Sequence, residues 1–228
     1  MASALAPEPS EDCTPLASPV RLAIFDFDGT LADTFPWFMR VVNGVADRYG
    51  FKRIEPHETE MLRGCGAREL VRRMEVPTWK LPLIARHMRR LAAEDPDAAR
   101  LFDGTRQMLQ DLASAGIGLA IVSSNSEAHV RRALGPSTAA LIERYACGAS
   151  MFGKAAKFRR VVKECGVPPG QAICIGDEIR DHEAASSAGI PFGAVAWGYT
   201  IPDALKGLRP AMMFATMDEI AARLAPRA

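Results

Sequence analysis

Long apolar runs are missing from this sequence: none approaches the roughly 18 residues that a bilayer-spanning helix needs, so no membrane partner is expected. Paired cysteines are missing too. The five present, Cys13, Cys65, Cys147, Cys165 and Cys174, are odd in number, widely spaced and without a Cys-x-x-Cys pair. Neither a disulfide framework nor a zinc site is indicated, and a reducing, cytoplasmic location fits. Charge of one sign is not in excess, with 28 Lys+Arg against 27 Asp+Glu and a net +1. No overall field therefore draws nucleic acid or an anionic membrane, and any anion selectivity must be local. The four histidines, His57, His87, His129 and His182, lack metal-ligand spacing. Residues 1–20 carry four prolines but neither a basic region nor an apolar one, so they read as a disordered tail and not a signal peptide. The remainder is ordinary: 228 residues, 48% hydrophobic and 24% charged, room for one domain or a core with a smaller insertion.

The chain is organised around the apolar run at 22–31, Leu22-Ala23-Ile24-Phe25-Asp26-Phe27-Asp28-Gly29-Thr30-Leu31. It reads as a buried parallel strand that delivers two acids and a glycine at its C-terminal end, where open α/β sheets place their chemistry. While the run stays extended, Asp26 and Asp28 share a side, and Gly29 lets the backbone turn sharply. Two acids at a strand end need a counter-charge, and a hard cation such as Mg²⁺, with oxygen ligands and room for a phosphate, supplies it. A plain acidic turn is the alternative.

Downstream, residues 34–102 contain only helical periodicity, in pieces at about 35–49, 56–63, 67–75 and 81–94. Their ends, Thr34-Phe35-Pro36 and Phe102-Asp103-Gly104, could form a two-stranded hinge. Asp103 then caps a helix, and strands at about 119–122, 145–147, 172–175, 191–195 and 213–215 alternate with helices. The expected fold is α/β: a Rossmann-like parallel sheet over 21–33 and 103–228, with an all-helical cap at 34–102.

Three more strand ends carry chemistry. Ser123-Ser124-Asn125 offers a hydroxyl and backbone N–H groups that can hold phosphate oxygens, although a capping turn at Ser126 also accounts for it. Phe152-Gly153-Lys154 opens a helix with a lysine able to neutralise a transferring phosphoryl group, with Lys157 as its competitor. Gly176-Asp177-Glu178-Ile179-Arg180-Asp181 ends an apolar strand with two acids four residues apart, which can complete a Mg²⁺ site begun by Asp26 and Asp28. The stretch from Gly148 to Lys154 also fits G-x-x-x-x-G-K, but Ala155 stands where a P-loop needs Ser or Thr, and the four acids would go unexplained.

In this order, the four stretches resemble the motifs of the haloacid dehalogenase-like superfamily. Gly176-Asp177-Glu178-Ile179-Arg180-Asp181, Ala188-Gly189-Ile190-Pro191 and Trp197-Gly198-Tyr199 point to its phosphoglycolate phosphatase-like branch. The resemblance implies a Mg²⁺-dependent phosphatase acting on a small anionic phosphate ester through an aspartyl-phosphate. Asp26 would be the nucleophile and Asp28 the acid and base. Mg²⁺ would sit between the Asp26 carboxylate, the Asp28 main-chain carbonyl and Asp177, with Asp181 a direct or water-mediated ligand. Ser123, Ser124, Asn125 and Lys154 would hold phosphate oxygens. Dehalogenating branches lack the second acid, so Asp28 argues against halide chemistry; a phosphomutase or a silent phosphate-binding module are the alternatives. The cap holds 13 Lys+Arg against 9 Asp+Glu. Its loop Arg63-Gly64-Cys65-Gly66-Ala67-Arg68 is either a plain helix–helix turn or a substrate loop whose Arg63 and Arg68 grip a carboxylate. Oligomeric state is not readable.

Overall fold

The computed structural model describes residues 18–148 and 153–225. Most of the expected tail, Phe152 of the third motif and the middle of the P-loop-like stretch lie outside the described residues. Six strands, β1 (Leu22–Phe25), β2 (Gly118–Ile121), β3 (Arg144–Tyr145), β4 (Ala172–Gly176), β5 (Phe192–Val195) and β6 (Met212–Phe214), form one parallel sheet in the order β3-β2-β1-β4-β5-β6. The order reverses beside β1. Such a switch point leaves a crevice outside the strands' carboxyl ends, and β1 and β4 open into it.

Alternation along β1 builds two cores, with all four side chains fully buried. Leu22 and Ile24 pack with Val122, Cys174 and Phe158, whereas Ala23 and Phe25 face the opposite layer with Leu109, Leu112, Ile173 and Ile220. At about 1.5–3 kcal/mol for each large apolar side chain buried, this central strand is strongly fixed in register.

From Phe35 to Glu94 every element is helical: α1 (Phe35–Tyr49), α2 (Thr59–Arg63), α3 (Ala67–Arg73) and α4 (Leu81–Glu94), with short 3₁₀ turns. These helices keep apolar clusters of their own, around Val42, Ile54, Leu62 and Met74 and around Trp37, Ala92 and Ala98. The chain leaves and re-enters the sheet side by side. Ala32 pairs antiparallel with Leu101, the Asp33 amide donates to the Arg100 carbonyl (2.7 Å), and the Phe102 amide donates to the Leu31 carbonyl (3.0 Å).

The sheet is covered by α5 (Thr105–Ser114), α6 (Glu127–Leu134), α7 (Pro136–Ala140), α8 (Lys154–Glu164), α9 (Ile179–Ser187), α10 (Pro202–Lys206) and α11 (Met217–Leu224). One cap differs from the sequence reading: Gly104, at φ +83°, precedes α5 in place of an Asp103 cap. Thr34 precedes α1 with its hydroxyl on the Tyr199 hydroxyl (3.0 Å). The five-residue α7 and α10 were not expected. Each starts on a proline, whose fixed φ suits the first helical turn, but neither is long enough to show periodicity.

Candidate active site

Past β1 the chain stays on the ladder for one residue, the Asp26 amide donating to the Ile175 carbonyl (2.9 Å). It then turns, the Phe27 carbonyl accepting the Leu31 and Ala32 amides (3.0 and 2.9 Å). Gly29 makes the turn at φ +72°, and a Cβ there would lie 2.2 Å from Asp177 Oδ2, so only glycine lets the loop pass. Asp177 follows β4 and is fully buried. Its Oδ1 accepts from Thr30 Oγ1 and its Oδ2 from the Tyr199 amide, both at 2.7 Å.

Asp181 lies in the first turn of α9, where its Oδ2 accepts the Glu178 amide (3.2 Å). Its Oδ1 takes the Lys154 ammonium at 2.6 Å, and that ammonium also reaches Asp26 Oδ1 at 2.9 Å. Lys154 opens α8 and is 8% exposed. Lys157 instead donates to the Cys147 carbonyl at 2.7 Å, on the outside of the site. Asp26 Oδ2 is buried with no hydrogen-bond partner among the described residues.

Asp26, Asp177 and Asp181 each offer one oxygen within 4.8 Å of the others. Burial pushes the Asp26 carboxyl up to about 7 despite Lys154 beside it, with Asp181 adding to the rise. Burial, helped by Glu178 and Asp26, holds the Asp177 carboxyl well above the usual range. Burial also opposes the Lys154 charge, but Asp181 and Asp26 outweigh it and keep the ammonium protonated. Three clustered buried carboxyls with one lysine on two of them, and one oxygen without a partner among the described residues, suit a hard divalent cation: it would favour the ionised forms and supply the missing partner.

A pH dependence follows. The Asp26 carboxyl rises from an ordinary 3.8 to about 7 on folding, so the native state holds that proton more tightly. Its contribution to stability is full below about pH 4 and is lost as pH climbs through 7. In metal-free protein, the Tm of the wild type relative to Asp26→Asn should therefore drop between pH 4 and 7.5, and a difference that grows in favour of the wild type would contradict the assignment.

Other expected residues take different places. The Asp28 side chain is outside the three-carboxylate cluster, both its oxygens accepting from Asn125 Nδ2 (3.0 and 2.8 Å). Asn125 thus orients Asp28 with the amide expected to hold phosphate. Burial raises the Asp28 carboxyl, against the Asn125 hydrogen bond. Ser123 is fully buried and its Oγ accepts the Asn125 amide (3.0 Å), leaving its own proton to donate; Ser124 is half-buried beside it. Arg63 turns from the cleft and spends its guanidinium on Gly198, Tyr199 and Glu60. That contact corrects its reading as a free grip for a carboxylate. Arg68 lines a cleft of about 510 Å³ that runs between α3 and α9 to Lys154.

Thr30, Gly198, Tyr199 and Arg180 were not read as site residues. Arg180 lines the same cleft, pairs with Glu178 and keeps its Nε buried without a partner among the described residues. A Cβ on Gly198 would fall 2.1 Å from Asp177 Cβ, so its place between Trp197 and Tyr199 was the available signal.

The haloacid dehalogenase-like hydrolase family model matches residues 23–195. Phosphoglycolate phosphatase of Synechococcus elongatus is 29% identical over 202 residues, covering 88% of this chain and 95% of the relative. That of Agrobacterium fabrum is 30% identical over 196 residues, covering 78% and 82%. Among solved structures, a putative phosphoglycolate phosphatase from Lactobacillus plantarum superposes with a TM-score of 0.77 at 20% identity, covering 90% of this chain and 99% of that one. No helix among the described residues is long and apolar enough to cross a membrane.

Proposed function

The chain belongs to the haloacid dehalogenase-like hydrolase family, and as a phosphatase of that family we propose that it hydrolyses a small phosphate monoester with Asp26 as nucleophile and Mg²⁺ as cofactor. The observation that carries this reading is the convergence of Asp26, Asp177 and Asp181, with Lys154 paired to Asp26 and Asp181 and Asp26 Oδ2 unpartnered among the described residues. Phosphoglycolate-like esters and sugar phosphates are the substrate class, in a cytoplasmic setting.

Asp26, Asp177 and Asp181 would hold the ion, together with the Asp28 main-chain carbonyl. Bound there, Mg²⁺ neutralises phosphoryl charge and keeps the carboxylates ionised. The Asp26 carboxylate attacks phosphorus, the phosphorus–oxygen bond to the alcohol breaks, and Asp28 gives its proton to the departing oxygen. Now a carboxylate, Asp28 takes a proton from water. The water oxygen attacks the same phosphorus, the bond to Asp26 breaks, and inorganic phosphate leaves with Asp26 regenerated. Lys154, the Ser123 hydroxyl and the amides after β2 would hold the phosphoryl oxygens, while Asn125 keeps Asp28 aimed.

The test is phosphate release from a panel of phosphoglycolate, sugar phosphates and nucleoside monophosphates, with Mg²⁺ and with chelator. Release that needs Mg²⁺ is expected, the panel ranking the substrates. No release from any ester, with Mg²⁺ still bound, would favour a mutase or a silent binding module.

A further inference from the structure

Arg63, at the end of α2, makes a two-sided contact with the loop after β5. Its Nε donates to the Tyr199 carbonyl and its Nη2 to the Gly198 carbonyl, both at 2.9 Å, while Nη1 is steadied by Glu60 Oε1 at 2.9 Å. The guanidinium lies 5.0 Å from the Phe35 ring centroid, and the Ile201 amide donates back to the Arg63 carbonyl (3.2 Å). Two neighbouring carbonyls held by one planar fork fix the loop in position and direction.

The other side of that loop grips a carboxylate. The Tyr199 amide donates to Asp177 Oδ2 (2.7 Å), and Gly198 passes too close to Asp177 for any Cβ. Trp197 Nε1 donates to the Thr30 carbonyl (3.1 Å), and the Thr30 hydroxyl binds Asp177 Oδ1 (2.7 Å). Both Asp177 oxygens are therefore set by the loop, one directly and one through Thr30. The Thr34 hydroxyl (3.0 Å from the Tyr199 hydroxyl) and the Phe35 and Phe38 rings also meet Tyr199, but on its side chain; Arg63 holds the loop's main chain.

We propose that Arg63 is a positioning residue: from the cap it holds residues 197–201, and through them it fixes Asp177 for the metal. This role rests on the phosphatase reading for the purpose of Asp177, but the latch itself needs neither ester nor turnover. It gives Arg63 a task distinct from gripping substrate.

The discriminating experiment compares wild type with Arg63→Ala and Arg63→Lys. Amide exchange across 197–201 is followed in metal-free protein, and Mg²⁺ alone is titrated by calorimetry. Losing charge-assisted hydrogen bonds from both carbonyls should speed Tyr199 exchange about tenfold and weaken Mg²⁺ binding about tenfold, with β4 exchange unchanged. Arg63→Lys, which keeps the charge but not the fork, should fall between and serves if the alanine variant does not fold. At saturating Mg²⁺ the KM for an ester should stay near wild type. Unchanged exchange and Mg²⁺ affinity with a raised KM for a carboxylated ester would overturn the proposal and return Arg63 to substrate binding. A wild type that binds no Mg²⁺ would overturn the phosphatase reading and this role together, whereas altered exchange with unaltered Mg²⁺ affinity would overturn this role alone.

Discussion

Asp26→Asn should lower phosphate release by about four orders of magnitude or more while the protein stays folded, because an amide keeps the shape of the side chain and loses its nucleophilic oxygen. The effect on stability should have the opposite sign. Asp26 sits 3% exposed among other acids, and burial already raises its pKa to about 7, so at pH 7.5 its ionised form opposes folding. Removing that charge leaves Lys154 with Asp181 at 2.6 Å, so no cation is stranded. Turnover and Tm measured on the same preparation check both halves; retained turnover would remove Asp26 from the nucleophile's role, and a lowered Tm in metal-free protein would contradict the electrostatics.

Lys154→Ala should do the reverse, costing stability and rate together. The ammonium is the buried cation shared by Asp26 and Asp181, and deleting one member of such a buried ionic group typically costs about 3–5 kcal/mol. Part of that loss should return on adding Mg²⁺, which can meet the same two carboxylates. Lys157→Ala, one turn along α8, removes only hydrogen bonds to the Ala146 and Cys147 carbonyls and should leave turnover close to wild type at a cost of about 1 kcal/mol. Urea unfolding and phosphate release for the two variants decide the matter. If Lys157→Ala were the inactive one, the third motif would have been assigned to the wrong lysine.

The difference between these lysines was legible in the sequence because Gly153 and the start of α8 mark Lys154 locally. The same holds for Asp26, Ser123 and Asp177, which stand at the ends of apolar runs, so that strand direction alone brings them to one edge. Contacts that join distant segments were less legible. Arg63 and Tyr199 are 136 residues apart, and nothing in the 63–68 loop distinguishes an arginine that grips a ligand from one that grips a backbone. Asn125 looked like a phosphate donor until the fold placed Asp28 within 2.8 Å of its amide. Thr30 and Gly198 showed no role on their own, since each is defined by how it surrounds Asp177. Short helices were missed for a different reason: five residues carry no period, and a proline at the start reads equally well as a turn.

The position of β1 also bears on how the chain comes off the ribosome. Leu22 is registered against Gly118 on one side and Ala172 on the other, so the first strand made waits for two partners encoded far downstream. Until most of the chain has been synthesised, Leu-Ala-Ile-Phe has an unpaired backbone and four side chains destined for full burial. Such long-range pairing slows folding and leaves a sticky segment exposed in the nascent chain. The helices of residues 35–94 are made before β2 and β4 and keep apolar clusters of their own, so they can form while β1 waits, and this protein is built outside in: the inserted helices take shape before the sheet edge where Asp26 and Asp177 meet.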